Sequence, residues 1–261
     1  MTDTQAQTSD LPEPAAPTAE AGEKPKASGA RGFWHEWVKP FLIVLLVVFS
    51  FRSAVADWND VPTGSMRPTI LEGERIFVNK LAYDLKIPFT RVRLAEWSDP
   101  QRGDVVVLYS PKGERKRLVK RVIGVPGDEV SMVRGRLRIN GEVASYQRFA
   151  PEDHEGALGL EVGALVADGR VLWESMEDLD RHPVIWRQAP GSPQQRNFGP
   201  NIIPEGQYWV MGDNRDNSSD SRSFGVVDRN LIVGEATAVV FSLDPERSRR
   251  PRWSRFFLGL P

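Results

Sequence analysis

There is no cysteine among the 261 residues. Disulfides, thiolate nucleophiles and cysteine-bound zinc are thereby excluded, and the fold must rest on burial alone. Histidine is nearly as scarce. His35, His154 and His182 are scattered, without the short spacings of a metal site, and read as ordinary surface or loop residues. Charge of one sign is also lacking: the formal net charge is −1, so no global field attracts nucleic acid. No long amphipathic helix separates the strand-like segments, which argues against a doubly wound fold, and no internal repeat is visible.

What is present begins with a tail, residues 1–36. It is rich in Ala, Pro, Glu, Thr and Ser, and its first 32 residues nearly lack large apolar side chains. It cannot bury enough surface to offset its ordering entropy and is expected to be disordered. Residues 37–56 follow, built around the uncharged run from Phe41 to Phe51, with Trp34 and Trp37 before it and Arg52 and Trp58 after it. Tryptophan suits the membrane interface and arginine snorkels from a helix end, so this segment is expected to span a bilayer. Lys24, Lys26, Arg31 and Lys39 precede the uncharged run and only Arg67 lies close behind the segment, which favours an N-terminus in the cytoplasm. The ending Ala54-Val55-Ala56 leaves a cleaved secretory signal open as a rival reading.

From Asp57 the chain reads as mainly β. Strand-like runs at 75–78, 104–109, 117–123, 136–139, 208–211 and 236–241 are divided by turn signals such as Pro126-Gly127-Asp128, and Asn140-Gly141 marks a hairpin. Residues 57–143 and 205–245 read as two parts of one antiparallel core. Residues 144–204 read as an inserted, loop-rich variable subdomain. Residues 246–261 form a tail mixing five arginines with Trp253, Phe256, Phe257 and Leu258, which suits a membrane surface or plain solvent.

Three segments carry chemistry. Ser65 sits in Pro62-Thr63-Gly64-Ser65-Met66-Arg67-Pro68, where glycine permits a sharp bend and proline fixes the chain after it. Lys120 lies in the run from Arg117 to Ile123; alternation places it on one face with Leu118 and Val122, the lone charge there. Taken singly, these fit a turn serine and a solvated strand lysine. Taken together, they fit a nucleophile and its base. An ordinary lysine is only about 0.04% neutral at pH 7, and lowering its pKa by roughly 3 units frees about a third of it. The third segment, Gly212 to Arg222, is dense in hydrogen-bonding side chains. Its acids lack the spacing of a calcium loop and alternate with Arg215 and Arg222, so internal pairing is expected rather than a metal.

With Gly73 to Lys80, Gly103 to Val106 and Val119 to Asp128, these segments resemble bacterial type I signal peptidases, also called leader peptidases. The resemblance covers the apolar run and most of the chain after it. It implies a membrane-anchored Ser-Lys endopeptidase that needs no cofactor, removes signal peptides with A-x-A cleavage sites, and lies on the outer, periplasmic side of the cytoplasmic membrane on a single span. It implies an antiparallel β core with a variable subdomain. It also implies Ser65 as nucleophile, Lys120 as general base, Ser218 as the residue orienting the lysine, and the Thr63 hydroxyl with the Ser65 N–H as oxyanion hole. Arg121 with Asp213 and Asp220 with Arg222 would be structural pairs. Val61, Pro62, Met66, Ile70 and Val119 would line pockets for small side chains. Two rivals remain: a self-cleaving Ser-Lys regulatory protease, and a non-catalytic tethered β domain that binds exported chains.

Overall fold

The computed structural model describes residues 32–90, 92–113, 116–149, 169–187 and 196–261. Trp34–Val38 forms a π-helical turn, in which the Lys39 N–H reaches back five residues to Trp34. The helix continues without a break into α1 (Lys39–Ala54), and the π-helical turn immediately precedes Pro40, whose missing N–H interrupts the regular ladder there. Trp34–Ala54 is long and apolar enough to cross a membrane and fits a transmembrane helix. Its bounds differ from the expected 37–56, because Ala56 already pairs in the first strand.

Strand formers then set the architecture, which is mainly β as expected. In chain order the strands are β1 (Ala56–Val61), β2 (Glu74–Asn79), β3 (Asp84–Lys86), β4 (Arg93–Glu96), β5 (Val105–Tyr109) and β6 (Arg117–Gly124). Next come β7 (Glu129–Val133), β8 (Arg136–Ile139), β9 (Glu142–Val143), β10 (Ser145–Arg148), β11 (Gly169–Met176) and β12 (Leu179–Arg187). The last are β13 (Phe198–Ile202), β14 (Gln207–Met211), β15 (Val227–Asp228), β16 (Ile232–Asp244), β17 (Arg250–Pro251) and β18 (Leu258–Gly259). The main sheet runs β1-β2-β16-β5-β6-β14-β15, with β17 and β18 added to β16. It is antiparallel throughout. Strand β16 pairs β5 through its first residues and β2 through the rest. At the changeover a Cβ on Gly234 would lie 2.4 Å from the Asn79 carbonyl oxygen, so only glycine permits this approach.

The curl of this sheet creates the site. Strands β1 and β6 are not hydrogen-bonded neighbours, yet Arg117 on β6 pairs with Asp57 on β1 at 3.0 Å. The interior is apolar: Val61, Met66, Ile70, Ile76, Val78, Val105, Val107, Val119 and Val239 form one buried cluster.

Two stretches differ from their sequence reading. The loop-rich texture of 144–204 conceals a three-stranded sheet, β10-β11-β12, while β13 pairs β7 in a second small sheet. The strands were obscured by polar residues: Asp180-Arg181-His182-Pro183 interrupts the alternation, although Val184, Ile185 and Trp186 are buried. Residues 150–168 and 188–195 of that stretch lie outside the described residues, as does most of the 1–36 tail. The 246–261 segment is packed on the core. Arg255 is fully buried against Glu74, and β18 extends the main sheet. Only parts of its aromatic surface, such as Trp253 and Phe257, face outward.

Candidate active site

The chain leaves β1 at Val61 and passes Pro62 and Thr63, the latter extended at φ −132° and ψ 149°. It then tightens into a 3-10 turn over Gly64–Met66. This turn presents Ser65, half-buried, at the mouth of the curled sheet. Met66 and Ile70 anchor the turn from behind with no exposed surface.

Lys120 enters from β6. Its Nζ is hydrogen-bonded to Ser65 Oγ at 2.6 Å and donates to the Val119 carbonyl at 2.9 Å. The residue is 2% exposed. Burial pushes its pKa down to about 8, against the opposing pull of Asp220 and Asp213 and with help from Arg222 and Lys116. A lysine held near 8 is roughly a tenth neutral at pH 7, several hundredfold more than an ordinary one. Serine and amine are thus within proton-transfer distance, and the amine can be deprotonated near neutrality.

The loop after β14 backs this pair. Asp213 receives Arg121 Nε at 3.0 Å and Arg121 Nη2 at 2.9 Å, and the Thr69 hydroxyl also donates to it. Burial raises the Asp213 pKa, but Arg121, with His182 and the Thr69 hydroxyl, more than offsets this and holds the carboxyl below its ordinary value. Arg121 also donates to the carbonyls of Gly103 and Pro261, both at 2.8 Å, which ties the last residue to the base strand. Asp220 accepts from Arg222 Nη2 at 2.8 Å and from the Gly212 N–H at 3.0 Å. The two expected pairs are therefore each brought together.

Ser218 is buried beside Gly212, where an added Cβ would fall 2.3 Å from both Ser218 Oγ and the Ser65 carbonyl oxygen. Its Oγ completes no hydrogen bond among the described residues and makes none to Lys120; its nearness to Asp220 is a minor cause of that carboxyl's lowered pKa. Thr63 is exposed, and its hydroxyl makes no capping bond to the 3-10 turn. Val61, Met66, Ile70 and Val119 share the buried apolar cluster, whereas Pro62 is exposed.

The sequence reading assigned no role to Asn214. Its N–H donates to the Ser65 carbonyl at 3.1 Å, and its side-chain amide donates to the Gly64 carbonyl at 2.9 Å. The only sequence signal was its place in a segment dense with turn-forming side chains. That density forecasts local bonds and not a clamp on a turn 150 residues away.

Residues 34–241 match the family model described as "Signal peptidase, peptidase S26". The chain is 36% identical over 233 residues to signal peptidase I of Pseudomonas aeruginosa, covering 84% of this chain and 77% of that protein. It is 33% identical over 212 residues to signal peptidase I P of Bacillus subtilis subsp. natto, covering 80% and 90% respectively. A solved signal peptidase I from Enterococcus faecalis gives a TM-score of 0.32 at 25% identity, covering 54% of this chain and 98% of that one.

Proposed function

The chain belongs to the signal peptidase family, peptidase S26, and from that premise we propose that it is a membrane-anchored endopeptidase that removes signal peptides from exported pre-proteins. Ser65 is the nucleophile and Lys120 its general base. The observation that carries this reading is the 2.6 Å contact between Ser65 Oγ and the buried Nζ of Lys120.

The reaction follows from that contact. Neutral Nζ takes the hydroxyl proton as Oγ attacks the scissile carbonyl. The developing oxyanion is stabilised by the Ser65 N–H and the Thr63 hydroxyl, each such donor typically worth about 2.7–4 kcal/mol. The ammonium of Lys120 then gives its proton to the leaving amine, and the C–N bond breaks to leave an acyl-enzyme. A water, deprotonated by the same amine, attacks the ester and frees Ser65. Ser218 orients the amine in the reacting complex, and the Arg121–Asp213 and Asp220–Arg222 pairs hold the surrounding loop.

Substrate binding has a structural rationale. Strand β1 ends the main sheet and has an open edge among the described residues. On β6, residues 117–120 pair with β5 on one side, and β14 pairs only from Arg121 onward. An extended peptide laid between these two edges gains backbone hydrogen bonds and passes Ser65. The apolar cluster beneath, with Val61, Met66, Ile70 and Val119, favours small side chains of the A-x-A kind, with Pro62 at the rim. The helix Trp34–Ala54 is a single span of the cytoplasmic membrane, with the N-terminus inside and the core on the periplasmic side.

The test is cleavage of a pre-protein by the full chain in lipid vesicles, read by mass spectrometry. Wild type is expected to cut, with kcat/KM rising through an apparent pKa near 8 as Lys120 loses its proton. Ser65→Ala, Lys120→Ala and Lys120→Arg are expected to be inactive while folded, arginine failing because it stays charged. Substantial cleavage by any of the three refutes the assignment. Binding of pre-proteins without cleavage by wild type would favour the tethered, non-catalytic domain instead.

A further inference from the structure

The loop behind the reactive pair is held by the inserted sheet as well as by the core. Three consecutive residues face three different partners. Asp213 binds Arg121 on the strand of Lys120, and Asn214 binds the Gly64 and Ser65 carbonyls. Arg215 reaches into the insert. Its Nη1 and Nη2 donate to Glu174 on β11 at 2.7 and 2.5 Å, and both side chains are fully buried. Strand β12 adds main-chain bonds on either side: the Ile185 N–H donates to the Asp213 carbonyl at 2.9 Å, and the Arg215 N–H to the Ile185 carbonyl at 3.0 Å. Ile185 and Asn214 thereby form a parallel bridge between the insert and the loop.

Glu174 is itself fixed. The Tyr146 hydroxyl donates to it at 2.6 Å, and His182 Nε2 lies 3.4 Å away; this histidine, expected at the surface or in a loop, is instead fully buried on β12. Burial works to raise its pKa, yet Arg215 and His182 hold the carboxyl well below its usual range, so it stays ionised opposite the guanidinium. A bidentate pair of this kind fixes direction as well as distance.

We infer that Glu174, from the insert, is a positioning residue for the reactive serine: by holding Arg215 it sets Asn214 against the Gly64–Ser65 backbone, and so sets Ser65 Oγ against Lys120. The inference rests on the protease reading above for its kinetic consequence, and on geometry alone for the coupling. Small displacements between reacting groups reduce turnover steeply and leave distant binding contacts intact.

The test uses the full chain in vesicles, with Glu174→Gln, the milder Tyr146→Phe, and Trp173→Phe as a control. Residue 173 alternates with 174 on β11 and stacks on Phe149 at 5.0 Å, away from Arg215. Expected is a kcat loss of about 10- to 100-fold for Glu174→Gln and a few-fold for Tyr146→Phe, with KM within about twofold and Trp173→Phe at the wild-type value. Amide hydrogen exchange is read in parallel. Exchange in both 62–66 and 213–218 should quicken in Glu174→Gln, with β2 and β16 unchanged. Should Glu174→Gln fail to fold, Tyr146→Phe carries the same two readouts. Unchanged exchange at 62–66 in a folded variant, or a kcat no lower than in the Trp173 control, overturns the inference. A wild type that does not cleave, combined with coupled exchange of the two segments, sinks the protease reading and keeps the clamp.

Discussion

Lys120 is a liability to the fold in the protonation state that most of its molecules occupy. Its pKa lies at about 8 in the folded chain and near 10.5 when unfolded. Below pH 8 both states hold the proton, and the full penalty of burying the ammonium is present. Between 8 and 10.5 the unfolded chain binds the proton and the folded one does not, so stability rises with pH across that window. The difference corresponds to about 3 kcal/mol. Lys120→Met, which keeps the volume and removes the charge, is therefore expected to unfold several degrees above wild type at pH 6–7, with the gap narrowing toward pH 10. Calorimetry across that range checks the claim. A gap that stays constant would mean that the amine titrates alike in both states, and one that widens with pH would mean that the folded chain holds the proton more tightly than the unfolded one; either outcome overturns the claim. In the proposed mechanism turnover would depend on the same energetic cost, because only a strained cation yields a usable fraction of free amine.

Elements were legible where the pattern was local. The runs at 75–78, 104–109, 117–123 and 208–211 became β2, β5, β6 and β14, because apolar alternation and flanking turns encode a strand directly. Ser65 and Lys120 were legible as residue types in suitable settings, and the core explains how they meet: a curled sheet carries β6 back to the end of β1. Interactions between elements were not legible. Nothing in Glu174 announces Arg215, since a lone carboxylate in a polar stretch is ordinarily a solvated one. The C-terminal segment was opaque for the same reason. Its arginines read as surface charge, yet Arg255 meets Glu74, with both side chains fully buried, and Glu74 also accepts from the Ser242 hydroxyl and the Leu71 N–H at 2.8 Å each. Arg255→Ala would leave that carboxylate buried without its cation. The expected loss is about 3–5 kcal/mol in urea unfolding, and Glu74→Gln in the same chain should recover part of it. A loss below about 1 kcal/mol would class the pair with exposed ion pairs and detach the C-terminal segment from the stability of the main sheet.

At the scale of the whole molecule, anchoring answers a problem that the site creates. On the proposed reading, a cleft between two strand edges above pockets for small side chains would offer few strong contacts, so affinity for a free peptide in solution should be low. A helix that confines the enzyme to the surface on which its substrate is inserted replaces affinity with effective concentration. The full chain in vesicles allows this to be measured without removing any part of it. With a pre-protein in the same vesicles, cleavage is expected to run about 100-fold or more faster than with the pre-protein in separate vesicles at equal total concentration. A soluble peptide spanning the cleavage site should be cut equally in both preparations. Equal rates for the embedded pre-protein would mean that the helix Trp34–Ala54 contributes nothing to encounter. The open edges of β1 and β6 would then have to supply by contact alone the selectivity that confinement to a surface otherwise provides.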